Sequence, residues 1–425
     1  RAAGNLTMRR LLPVLALVLS APAWGGEVRV PAVPGALVRA VAAAEAGDRL
    51  RLAPGNHQGP VVIDRPLTVE GEGQARVDGG GEGSVFRVTA PDVTIRGLEI
   101  VGSGSGHEEI DSGVRLLEGA ARALVEDNRF LGNLYGVDIH GAQDAMVRGN
   151  VIEGRRDRRM NDRGNGVYVW NAPGAEVVGN DIRWGRDGIF VNTSRGNVFR
   201  GNRFRDLRFA VHYMHANDST VADNVSIGND LGYAVMFSRG VTIAGNASIG
   251  DRAHGIMLNY ANDSRVEDNL VQGGEDRCLF IYNAHKNVIA GNRFEACAIG
   301  VHFTAGSERN EIARNAFVGN RTQVKYVGTR WVDWSADGTG NYWSDHAAFD
   351  LDGDGIADAP YRPNDTMDRI LWTQPAARLL LGAPAVQLVR WAQRAFPALL
   401  PGGVIDPAPL MAPPPLPEPS WDIAK

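Results

Sequence analysis

Apolar and polar positions between residues 124 and 318 follow one short pattern that returns at nearly constant length. A six-residue phrase recurs as VEDNRF, VRGNVI, VVGNDI, FRGNRF, VADNVS, IAGNAS, VEDNLV, IAGNRF and IARNAF, with its asparagine at Asn128, Asn150, Asn180, Asn202, Asn224, Asn246, Asn269, Asn292 and Asn315. Successive asparagines stand 22, 30, 22, 22, 22, 23, 23 and 23 places apart. IRGLEI carries Leu98 in the asparagine place. About ten residues after each asparagine comes a second phrase rich in β-branched and aromatic residues, such as GVYVW or GIFVN. There Val137 and Ile139, Val167 and Val169, and Ile189 and Val191 fall on one face, the period of two that marks strands. Short strands in a repeat of fixed length predict a solenoid whose coils stack about 4.8 Å apart, so that equivalent residues form columns. The fold expected is all-β, a right-handed parallel β-helix over 61–330. The asparagine column then has a structural role, each side chain donating to its counterpart in the next coil where the chain bends.

A solenoid must protect its ends, because terminal coils expose unpaired edges. Helical spacing in GALVRAVAAAEAG predicts an N-terminal cap over 27–60. The one longer interval accommodates a loop with Arg155, Arg156, Arg158 and Arg159, read as either a solvated loop or a docking loop for an acidic partner. Residues 331–373 read as a C-terminal cap, and 374–425 as a tail with one amphipathic helix near 385–396 followed by an extended, mobile proline-rich stretch. Before the cap, Arg9 and Arg10, a short apolar run from Leu11 to Leu19 and Ala21-Pro22-Ala23 match a secretory signal peptide, 8–25.

The outward positions of the second phrase change the picture. One column reads Asp138, Tyr168, Phe190, His212, Met236, Met257, Phe280, His302, and the next His140, Trp170, Asn192, Met214, Ser238, Asn259, Tyr282, Thr304. An outward sheet face should be polar, whereas a contiguous apolar and aromatic patch marks a contact surface. Three readings stand: a covering segment of the same chain, an extended ligand, or a soft metal ion. Imidazole with thioether suits copper, Cu(I) above all, which makes His212, Met214, His215, Met236, His254 and Met257 candidate copper ligands.

Composition narrows the choice. A formal charge of -5 and the lack of a phosphate-binding glycine loop exclude nucleic acid as an expected partner. The two cysteines, Cys278 and Cys297, are offset by three residues between neighbouring coils. Extended geometry puts their Cα atoms roughly 11 Å apart, so free thiols are expected. In DLDGDGIAD, Asp350, Asp352, Asp354 and Asp358 occupy positions 1, 3, 5 and 9 of an EF-hand-like loop without the final glutamate, and they are candidate ligands of a structural calcium ion.

With the signal peptide, the V-x-G-N coils and the closing GNYWSDH…DLDGDGIADAPY in view, the chain resembles the NosD family over about 27–373. The resemblance implies a periplasmic, non-enzymatic accessory protein that acts with an ABC ATPase and its membrane permease, peripheral to the membrane through that partner. It also implies copper supply for the copper centres of nitrous oxide reductase, with that reductase and a copper chaperone as further partners. It names no copper ligands. A rival resemblance is to uronate epimerases and lyases: Tyr135-Gly-x-Asp138-x-His140 matches the start of an epimerase motif, but Gly141 replaces its final acid. A metal-free docking solenoid is the third alternative.

Overall fold

The computed structural model describes residues 25–396, apart from 305 and 381, and residues 402–416. The expected signal peptide lies outside these residues except for its last position. Every pairing between the named strands of the solenoid is parallel and links one coil to the next, as a right-handed parallel β-helix requires. Among the described residues twelve strands form one long sheet, running from Val61–Ile63 to Thr322–Val327. The shorter strands form the remaining walls. The interior is dry: Val137, Ile139, Val167, Val169, Ile189 and Val191 are wholly buried.

The asparagine ladder is continuous. Each Nδ2 donates to the Oδ1 of the following asparagine, from Asn128 to Asn150 at 3.1 Å through Asn292 to Asn315 at 2.9 Å. Backbone amides share the same acceptors; Asn202 N, for example, donates to Asn224 Oδ1 at 2.9 Å. Leu98, lacking the side chain, still donates its backbone N–H to Asn128 Oδ1. The ladder runs one rung further than the repeated phrase, to Asn341, and ends on Asp406, which accepts from Asn341 N and Trp343 Nε1, both at 2.7 Å.

That ending revises the reading of the tail. Leu410, in the proline-rich stretch expected to be mobile, bridges Tyr342 and Ile356, and just before that stretch Gly403–Ile405 pairs in parallel with Trp331–Asp333. The buried Asp406 carboxylate supplies the acceptor that a further coil would have supplied. The amphipathic helix forms over Pro384–Ala395 and buries Val386, while Leu388 and Trp391 stand more than 60% exposed. At the other end the helix Ala36–Ala43 covers the first coils with Leu37 and Val41.

One expectation fails here. Cys278 and Cys297 are joined as a disulfide, with Cα atoms 5.7 Å apart rather than the longer separation that implied free thiols. The extended-chain estimate ignored the corner: Ala296 takes a left-handed conformation, φ 55°, so Cys297 turns back over the preceding coil instead of continuing a strand. In the loop, Arg155 is not available for docking. Its guanidinium donates to the carbonyls of Ser103, Gly104 and Gly132, and Arg156 lies over the ring of Trp184.

Candidate metal and ligand-binding face

The outward side of the long sheet carries parallel columns of side chains. Pairing of Phe190 with His212, His212 with Ala234, Ala234 with Met257, and Met257 with Phe280 defines one of them. This corrects the sequence register. Met236 does not follow His212; it pairs with Met214, and Ser238 falls beyond the strand. The similar phrases AVHYM and AVMFS suggested a match that is slipped by two residues. Constant coil length instead places Ala234 opposite His212. The physical reason is Tyr233, which occupies the interior place of Val211 and Ile256 and donates its hydroxyl to Ala247 O at 2.8 Å.

The correction leaves a notch in the run of large side chains, with Ala234 at its floor, wholly covered by its neighbours. Ala234 is the one small side chain in a column that otherwise carries Tyr168, Phe190, His212, Met257, Phe280 and His302. His212 and Met257 flank it from the coils on either side, Met236 follows it on the same strand, and Met214 adjoins Met236. The structure therefore groups four of the six candidate copper residues. It sets the other two apart. His215 sits on the exposed corner after the strand, stacked on Phe237 at 5.3 Å. His254 opens its strand opposite Leu231, with its ring against Phe280 at 5.2 Å and beside the Arg277 guanidinium.

His212 is the most constrained member. Its ring lies between Phe190 at 4.7 Å and Phe209 at 4.5 Å, and only 8% of the residue is exposed. Nδ1 stands 3.2 Å from Asp187 Oδ2, and Arg208 holds the same carboxylate at 2.7 Å. Burial opposes ionisation of Asp187, but the bonds from His212 and Arg208 outweigh it and hold the carboxyl below its ordinary range. An ionised carboxylate only accepts, so Nδ1 carries the proton. Nε2 then has no hydrogen-bond partner although it is buried. Neither Asp187 nor Arg208 was identified from the sequence. They lie on the previous coil and at the strand entry, where only a solved register relates them to His212.

Further along the face two more imidazoles are shifted toward the neutral form, His302 in the same column as His212 and His254 outside it. Burial, then Arg277, Lys325 and His254, push His302 down to about 4, and burial followed by Arg277 lowers His254.

At the opposite end of the face Tyr135 opens a strand that also carries Asp138 and His140. Asp138 is wholly buried, with Arg115 Nε at 3.1 Å and His140 Nδ1 at 3.9 Å from Oδ2. Burial, against the pull of Arg115, pushes its carboxyl up to about 7. The folded chain thus keeps a proton that the unfolded chain releases near pH 3.9. The associated stability is present below that value and is lost as pH rises through about 7. Asp138→Asn is expected to raise the thermal midpoint relative to wild type at about pH 8 and to change it little at about pH 4. A difference between the two proteins that is the same at both pH values contradicts a buried, protonatable acid.

In the cap, oxygens of Asp350, Asp352 and Asp354 lie within 4.8 Å of one another. Asp350 accepts from Gly353 N and Gly355 N, and Asp358 from Leu351 N. The charge of Asp354 raises Asp352, the signature of carboxylates crowded together. Among the described residues no helix is long and apolar enough to cross a membrane.

Residues 148–348 match the family model described as "Periplasmic copper-binding protein (NosD)". A curated protein of Pseudomonas aeruginosa, "Probable ABC transporter binding protein NosD", is 42% identical over 423 residues, covering 96% of this chain and 97% of its own. One of the same name from Stutzerimonas stutzeri is 42% identical over 378 residues, covering 86% and 87%. Among solved structures, a mannuronic acid specific polysaccharide family 6 lyase from human gut microbiota aligns with a TM-score of 0.53 at 13% identity, over 73% of this chain and 87% of its own. The alginate lyase AlyF-OU02 aligns with a TM-score of 0.52 at 14% identity, over 72% and 89%. At that identity the likeness concerns the fold alone.

Proposed function

Because this chain belongs to the NosD family, we propose that its long-sheet face is a copper-binding surface centred on the notch at Ala234, with His212, Met214, Met236 and Met257 as ligands. The observation that carries this reading is His212: a buried imidazole whose Nδ1 is fixed on Asp187 while Nε2 has no partner. A carboxylate behind a histidine is the usual support of a metal ligand, since it sets the tautomer and raises the basicity of the free nitrogen. Thioethers beside it select a soft ion, Cu(I) over zinc. Copper is here the cargo, held by side chains that need no covalent change to release it. His215 and His254 stand off this group, and we leave them outside the site.

The cellular role inferred is periplasmic delivery of copper during assembly of the copper centres of nitrous oxide reductase, with a copper chaperone as source and an ABC ATPase and permease as partners. The relatives named as ABC transporter binding proteins support the last point. So does the exposed apolar side of the helix Pro384–Ala395, with Leu388, Val389 and Trp391; co-purification with a membrane permease tests it. Titration with Cu(I) against a competing chelator tests the site itself. Binding is expected in the wild-type protein and is expected to be lost when His212, Met236 and Met257 are all replaced by alanine. Unchanged affinity in that variant removes this site.

For the cap we propose calcium on Asp350, Asp352, Asp354 and Asp358. A cation would relieve the repulsion at Asp352 and hold the turn that leads into the Tyr361 and Trp343 stack. Calcium is expected to raise the thermal midpoint, and chelation to lower it; a midpoint indifferent to both rejects the ion.

A further inference from the structure

Buried polar atoms without partners are uncommon, and each asks for an explanation. Several gather toward the Tyr135 end of the face, on the three coils that precede the His212 strand. Asp138 is shut off from solvent, yet neither carboxylate oxygen receives a hydrogen bond, since Arg115 Nε lies close but out of line. His140 Nδ1 is buried and unpaired, and its ring stacks on Trp170 at 4.3 Å. Arg186 has a buried, unpaired Nε, and among the described residues its guanidinium has no acidic partner. It is near enough to Tyr135 for its charge to act on that phenol. Tyr168 lies between Tyr135 and Phe190, with ring centroids 6.3 and 5.3 Å away, so half-buried rings form a floor along the solenoid axis.

These groups specify a ligand. Asp138 calls for a neutral hydrogen-bonding partner and not a metal ion, because the Arg115 cation already lies against it and would repel one. A hydroxyl meets that need, and it can also serve the His140 nitrogen in either sense. The unpaired Arg186 requires an anion, for which a carboxylate gives the planar match to a guanidinium. Flat aromatic surfaces accept the apolar side of a ring. Hydroxyls, a carboxylate and a ring with an apolar side occur together in a sugar acid. The linear run of rings lets a chain of such units continue along the axis.

We propose that this end of the face binds an acidic saccharide, with Asp138 and His140 taking ring hydroxyls, Arg186 the carboxylate, and Trp170 and Tyr168 the sugar face. This site is distinct from the copper notch and does not depend on it. Binding, rather than turnover, is proposed.

The test uses the full chain with two probes of equal length, an oligomannuronate hexamer and a neutral maltohexaose, read by calorimetry and by Trp fluorescence. Saturable binding of the acidic hexamer is expected, with the neutral one at least about 10-fold weaker. Arg186→Ala and His140→Ala are each expected to weaken the acidic hexamer about 10-fold or more. Neither variant removes a hydrogen bond of the fold, so both should stay close to the wild-type thermal midpoint. Cu(I) affinity should not move in His140→Ala, which lies three coils from His212. No saturation by about 10 mM hexamer, equal affinity for the two probes, or unchanged affinity in both variants overturns the proposal.

Discussion

Replacing Asp187 by Asn is expected to weaken Cu(I) binding about 10- to 100-fold, the range found when the support of a metal-bound histidine is removed. His212→Ala is expected to weaken it further. The two losses should not add, because Asp187 acts only through the imidazole. The double variant should therefore bind no more weakly than His212→Ala alone. Competition with a chelator of known affinity measures all three. Asp187 also holds Arg208, so its replacement leaves that guanidinium without its acid; the thermal midpoint of each variant must be read beside the affinity. His212→Ala serves as the cleaner case, since its one polar contact in the fold is the bond to Asp187. Wild-type affinity in folded His212→Ala would mean that copper is held elsewhere.

The largest effect on stability is expected from the ladder. Asn224 is wholly buried and makes four hydrogen bonds through its side chain. It accepts from Asn202 N and Nδ2 and donates to Phe199 O and Asn246 Oδ1, all at 2.9–3.0 Å. Alanine there leaves these partners unsatisfied where water has no entry, and each stranded group costs about 1–3 kcal/mol. Allowing for partial relaxation, Asn224→Ala is expected to lower the unfolding free energy by roughly 3–6 kcal/mol in urea denaturation. A loss below about 1 kcal/mol would mean that the corner closes without its asparagine.

Much of this architecture was legible in the chain because one length repeats. A near-constant interval between asparagines, with alternating valines and isoleucines in the second phrase of each coil, specifies coil, strand and inward face together. The same regularity contained the information that was misread. Phrase likeness put Met236 behind His212, whereas counting one coil length onward from His212 would have found Ala234. Local similarity competes poorly with coil length, since the backbone ladder fixes register and Tyr233 can take an interior place meant for valine. The disulfide was missed for a related reason: distances along an ideal strand say nothing about a corner in a left-handed conformation.

The parts of the candidate site that were not legible are those joined only by the third dimension. Asp187 and Arg208 reach His212 across coils, from positions with no pattern of their own. Asp406 closes the asparagine ladder from 65 residues beyond Asn341, just before the proline-rich stretch that was expected to be mobile. By contrast Asp138 and His140 lie two residues apart on one strand, where the period of two puts them on the same face.

The central claim is that His212 and the methionines about Ala234 hold copper directly. X-ray absorption at the copper edge of the Cu(I)-loaded protein addresses it without reference to affinity. A first shell of mixed sulfur and imidazole nitrogen is expected, with the imidazole contribution lost in His212→Ala and sulfur reduced in Met236→Ala. A shell of nitrogen and oxygen alone, or one that neither replacement alters, would contradict it.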